Sequence, residues 1–194
     1  SYKIEKSYSL ICMESTGVYG EKLAYFLVGN NYALVIESPL KVKKAFNPAR
    51  GKTDKIDSEQ IAEYAYRYFD KLKIWSPKSE IIEEIRMFLT QREQFMVQRI
   101  ANINAKKAVE KKFHKSEKVI SYYNELISKI DENIKSIDKE IISLIEKEPE
   151  YRQIFANVIS IPGVGKILGF HLLAVTNGFS EHLDCKKLAS YLGI

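Results

Sequence analysis

The sequence predicts an α/β segment followed by helices, an α/β plus α chain, and three observations carry that prediction. Two short apolar runs, Tyr8–Met13 and Tyr32–Ile36, alternate with helix-forming stretches in the first 76 residues. Strand, helix, strand, helix implies a parallel pair joined by a crossover. Farther on, Ile120, Tyr123, Ile127, Ile130, Ile134, Ile137, Ile141 and Leu144 recur at steps of three and four, an unbroken heptad seam of a and d positions. Last, Ile161-Pro162-Gly163-Val164-Gly165-Lys166 places a tight glycine turn between two helical stretches. The organisation expected is residues 1–76, 77–148 and 149–194.

Taken in order, the first strand ends at Glu14-Ser15-Thr16-Gly17, and Thr16-Gly17 turns into a helix over Gly20–Val28 with Leu23, Ala24 and Leu27 on one face. Gly29-Asn30 is a left-handed stop. After the second strand, Ser38-Pro39 opens a short helix, Leu40 to Phe46, with proline where its missing N–H does no harm. A third helix begins at Thr53 or Asp54, either of which can cap it, and continues with Ile56, Ile61, Ala62, Ala65 and Tyr66 at helical spacing. Pro77 closes the segment. Residues 79 to about 114 lack Gly and Pro and carry a stripe of Ile82, Ile85, Phe88, Leu89, Phe95, Met96, Ile100 and Ile103. The heptad helix spans about 117 to 147, roughly 45 Å, until Glu148-Pro149 stops it. Two such helices make an antiparallel hairpin, a dimerising coiled coil, or both.

Composition narrows the function. A 45% hydrophobic and 28% charged chain has the balance of a soluble globular protein. No apolar run reaches the length of a membrane span, and the start has no signal-peptide core. Cys12 and Cys185 lie too far apart for a metal or redox spacing, which fits a reduced, cytoplasmic setting. A net charge of +5 points mildly to a polyanionic partner.

The chemistry-bearing residues are acids beside bases. Glu14 lies where the first strand ends, the place where ligands collect in open α/β sheets. Asp54 and Asp57 are three apart and share a face at a positively polarised helix start. Together the three carboxylates suit Mg²⁺ or Mn²⁺; each is also an ordinary polar residue for its position. Lys41, Lys43, Lys44, Arg50, Lys52 and Lys55 lie between or beside them, and cations next to an acidic site suit phosphodiester chemistry. A second basic cluster, Lys106, Lys107, Lys111, Lys112, His114, Lys115 and Lys118, falls where the long helices turn. It either touches nucleic acid or solubilises the turn. Gly163 and Gly165 allow backbone N–H groups at a helix start to approach a phosphate, with Lys166 adding charge; close helix packing is the alternative use of such glycines. His114, His171 and His182 are scattered, and no Ser-His-Asp arrangement is readable.

Glu14-Ser-Thr-Gly-Val-Tyr19, then a strand and a basic helix, then Lys52-Thr-Asp-Lys-Ile-Asp57-Ser resembles the N-terminal domain of the DEDD transposases. These are bridge-RNA-guided insertion-sequence recombinases related to the Piv-type DNA invertases. The resemblance implies a partial RuvC-like (RNase H-like) domain over 1–76, a coiled coil over 77–148 used for dimer contacts and RNA binding, and a helix-hairpin-helix-like start of a C-terminal transposase domain over 149–194. It implies that Glu14, Asp54 and Asp57 hold Mg²⁺ for DNA strand cleavage and rejoining. The family's first Asp precedes the Glu14 motif, and SYKIEKSYSLICM contains none. The chain is therefore expected to begin inside that domain and to end before the family's serine nucleophile; Ser190 is not that serine. Expected partners are DNA, a structured guide RNA and a second copy of the chain. The alternative expectation is a non-catalytic fragment that dimerises and binds nucleic acid.

Overall fold

In a computed structural model the chain is described over residues 8–46 and 53–180, with Glu5 and Lys186 as single positions. It divides into two compact units, Ser1–Pro77 and Lys78–Ile194.

The first unit is a two-stranded parallel sheet with helices on both faces. Strand β1 (Leu10–Glu14) pairs with β2 (Ala33–Glu37) in a register that sets Cys12 opposite Val35 and Glu14 opposite Glu37. Helix α1 (Val18–Gly29) connects them. The period-two alternation of strands sorts the side chains. Ile11, Met13, Leu34 and Ile36 pack with Ala24 and Leu27 of α1. Leu10 and Cys12 face a groove shared with Ser58, Ala62 and Ala65 of α3 (Asp54–Arg67). Gly20 lies where α1 approaches β1; a Cβ there would sit 2.7 Å from Met13 Cε, the flexible end of a side chain that would have to shift. Between β2 and α3 runs the short helix α2 (Pro39–Ala45), with Pro39 in its first turn. After α3 the chain makes a single 3-10 turn, Phe69–Lys71. Trp75 then donates its backbone N–H to the Leu34 carbonyl and meets Tyr25 edge to face.

Two faces differ from the sequence pattern. Leu23 is exposed, and α1 buries Ala24 and Leu27 without it. On α3, Tyr66 points outward at 86% exposure while Tyr64 is buried. The reason is polar: the Tyr64 hydroxyl donates to Glu37 Oε2 at 3.3 Å, a contact that an apolar count does not register.

The second unit is a long helical hairpin with two shorter helices at its base. Helices α4 (Glu80–Glu110) and α5 (Glu117–Lys147) are joined by six residues, so they run antiparallel. Ser116 caps α5 by accepting from Val119 N–H. Helix α6 (Pro149–Ile159) starts at the proline that ends α5, and α7 (Lys166–Val175) follows a turn containing Gly163 at φ +88°. That left-handed conformation is the one glycine adopts without strain. The core gathers Ile82, Ile85 and Leu89 of α4 with Ile137, Ile141, Leu144 and Ile145 of α5, Phe155 of α6 and Phe170 and Leu173 of α7. Phe155 and Phe170 stack at 5.3 Å. Arg86 donates twice to the Ala174 carbonyl at the end of α7, which also accepts from the Asn177 N–H.

The inner line of α4 follows most of the apolar stripe read from sequence, with Phe88 and Phe95 packed on the core, and departs from it at Ile100. Ile100 is 52% exposed. The three-and-four stepping from Ile82, Ile85 and Leu89 arrives instead at Arg92, Met96, Arg99 and Ile103. Both arginines reach α5: Arg92 Nε lies 2.8 Å from Asp138 Oδ1, and Arg99 Nε lies 2.5 Å from Asp131 Oδ1. Residue numbers in both pairs sum alike, as antiparallel register demands.

Candidate functional site

Parallel strands end together, so the carboxyl ends of β1 and β2 place Glu14 and Glu37 on neighbouring positions. The Ser15 N–H donates to the Glu37 carbonyl at 2.8 Å and locks that edge. Helix α3 packs on β1, and Thr53 accepts from Ile56 N–H to fix its start. Asp54 and Asp57 therefore sit exposed in the first turn of a helix that lies on the strand ending in Glu14. The strand that ends in Glu14 meets α3 through Leu10 and Cys12, beside Ser58, Ala62 and Ala65. Even so, among the described residues no three His, Cys, Asp or Glu side chains gather into a group that could hold a metal ion. As placed, Glu14, Asp54 and Asp57 do not fit an ion by themselves.

Glu37 is the residue the sequence reading did not single out. Its side chain is only 13% exposed. It accepts from Lys41 Nζ at 3.1 Å and from the Tyr64 hydroxyl. Its charge is felt around it: burial first, then Glu37, pushes the Tyr64 hydroxyl up from its ordinary value. Burial, then Glu37, then Glu14 does the same to the Cys12 thiol. A signal for Glu37 did exist, since both apolar runs end in glutamate, ICME and LVIE.

The basic candidates separate by what they touch. Lys41 is engaged with Glu37, whereas Lys43 and Lys44 are exposed in the last turn of α2 and have no ion pair among the described residues. Arg50 and Lys52 lie outside the described residues. At the hairpin turn, Lys115 pairs with Glu117 at 3.4 Å, while Lys111 and Lys112 are exposed and without an ion pair among the described residues. Gly163, Gly165 and Lys166 form an exposed turn; nothing lies within 4 Å of a Cβ built on either glycine. Gly165 precedes the first turn of α7, so the backbone there is open to an anion. These sites occupy separate places within their own units. Among the described residues, no helix is long and apolar enough to cross a membrane.

Comparison with known proteins adds the following. The profile of a family described as transposase, the IS110-type DEDD group, matches residues 3–115. A pilin gene-inverting protein of Moraxella lacunata is 32% identical over 187 residues, covering 95% of this chain and 55% of that protein. Its counterpart from Moraxella bovis is 31% identical over the same length and coverage. The chain thus spans about half the length of the curated relatives it matches.

Proposed function

The chain belongs to the IS110-type DEDD transposase family, and from that premise we propose that it is part of a DNA transposase or recombinase that cleaves and rejoins DNA strands in the cytoplasm. The similar proteins are named for inverting a pilin gene, which supports DNA as the partner here. The observation that carries the reading is the packing of α3, bearing Asp54 and Asp57, on the strand that ends in Glu14. In this reading Glu14, Asp54 and Asp57 are carboxylates of a RuvC-like centre for Mg²⁺ or Mn²⁺. As placed they do not converge on an ion, so this assignment is drawn from the family and not from their geometry. Lys43, Lys44 and, beyond the described residues, Arg50 and Lys52 engage the phosphate backbone beside that centre. Lys41 is held by Glu37 and contributes less. The 77–148 hairpin acts as a coiled coil in a homodimer and binds a structured guide RNA with Lys111, Lys112 and Lys115. The 149–194 segment uses Gly163, Gly165 and Lys166 as a helix-hairpin-helix-like phosphate contact.

A second reading keeps the nucleic-acid contacts and the dimer but assigns no catalysis to this polypeptide alone. The absence of a converging carboxylate group among the described residues favours it. Salt titration of binding to duplex DNA and to a structured RNA tests the part both readings share. Affinity is expected to fall linearly with the logarithm of salt. The slope for duplex should shrink by about 0.9 for each of Lys43 and Lys44 changed to Gln. Failure to bind either nucleic acid at low salt sinks both readings. Preference for the RNA supports guidance.

A further inference from the structure

The turn between α4 and α5 carries an apolar group that the fold does not use. Phe113 is 95% exposed, the most exposed large hydrophobic side chain among the described residues. Among the described residues its one ring contact is with its neighbour His114, edge to face at 4.8 Å. Helix α4 ends at Glu110 and the capped α5 begins at Glu117, so the ring projects from a short turn held at both ends. The surrounding charge is only partly neutralised. Lys106 pairs with Glu110 and Lys115 with Glu117. Lys107, Lys111, Lys112 and Lys118 have no ion pair among the described residues, and all four are exposed.

We propose that this turn is a stacking platform for an unpaired nucleotide, with the Phe113 ring against the base and Lys111 and Lys112 on the flanking phosphates. The proposal rests on the nucleic-acid reading above and specifies what the tip recognises. Lysines alone would solubilise a turn; a fully exposed ring adds nothing to solubility and has no partner in the core. An aromatic face set among unpaired cations is what single strands bind, because each base offers a π-face and each link a phosphate. Duplex bases hide those faces against one another, so the ring discriminates for loops, bulges and ends. Basic residues around an apolar side chain also suit an anionic membrane, but that mode needs an apolar helix face. This turn presents one ring, which matches one base.

The test uses the whole chain with Phe113→Ala, Phe113→Trp and the pair Lys111→Gln, Lys112→Gln. Binding is measured to short oligouridylate, short oligothymidylate, a short DNA duplex and phosphatidylserine vesicles across a salt series. Circular dichroism confirms that helicity is unchanged, as expected for so exposed a ring. Phe113→Ala should weaken both single strands about ten-fold without altering the salt slope. Duplex binding should be unchanged, and Phe113→Trp should restore single-strand binding. The lysine pair should flatten the single-strand slope by about 1.4. Single-strand affinity equal in Phe113→Ala and wild type overturns the platform while leaving the nucleic-acid reading standing. So does an equal loss on duplex, or a loss confined to vesicles. Wild-type protein that binds no oligonucleotide overturns both.

Discussion

Glu37 shows how a largely enclosed carboxylate is kept in a small sheet. With its side chain 13% exposed it must be paired, and Lys41 and Tyr64 supply a cation and a hydroxyl donor. Its remaining field falls on Cys12, whose thiol is already raised by burial. A raised thiol pKa leaves little thiolate at neutral pH, and the thiolate is the nucleophile. Removing the negative charge should lower that pKa and increase reactivity. In a Cys185→Ser background, Glu37→Gln should therefore speed alkylation of Cys12 by iodoacetamide at pH 7.5 several-fold. An unchanged rate would mean that burial alone protects the thiol. In sequence Glu14 stands out by the motif it opens, whereas Glu37 is an unremarkable strand-end glutamate. Only the register that sets the two opposite each other makes a pair of them.

At the scale of elements, α5 was legible throughout, and α4 along its apolar stripe except at Ile100. Every seam position of α5 is isoleucine, leucine or tyrosine, so its period is unbroken, and from Ile130 onward the seam is buried. The inner line of α4 passes through Arg92 and Arg99, which interrupt an apolar count and shift the apparent stripe onto Ile100. What repairs the line is a partner on another helix, and single-helix periodicity has no access to that. Arg99 is held above its ordinary pKa by the hydrogen bond from its guanidinium to Asp131 and by that carboxylate's charge. Arg92 is the better enclosed, 17% exposed against 30% for Asp138. Such a pair lies between surface and buried behaviour. Asp138→Ala, which strands the arginine, should cost about 1–3 kcal/mol in urea denaturation followed by helicity. Replacing both residues with leucine should recover most of that loss. If the double variant stays as unstable as the single one, the pair contributes more than the desolvation it requires. On α3 the read face departs at Tyr66 for a related reason: Tyr64 is buried with a hydroxyl partner, and among the described residues Tyr66 has no such hydrogen bond.

On the scale of the whole molecule, the hairpin leaves apolar surface unpaired in the half that lies toward its turn. There the seam residues Tyr123 and Ile127 are only partly buried. On α5, Tyr122 and Leu126 are 54% and 51% exposed; on α4, Val97 and Ile100 are 68% and 52% exposed. Near the base the same two helices are closed by α6 and α7, so nothing further is needed there. Exposed apolar positions gathered along one half of a long hairpin are what an association surface requires. A heptad helix can also satisfy that surface with another copy of itself. We therefore expect a homodimer through the turn-proximal half of the hairpin. Light scattering at micromolar concentration should give twice the chain mass, and Leu126→Glu combined with Ile100→Glu should give the chain mass with helicity retained. Both substitutions fall on exposed positions, so the fold of the unit is spared and loss of dimer would report the surface itself. A monomeric wild type at that concentration would refute the dimer. A variant still dimeric would move the contact elsewhere on the chain.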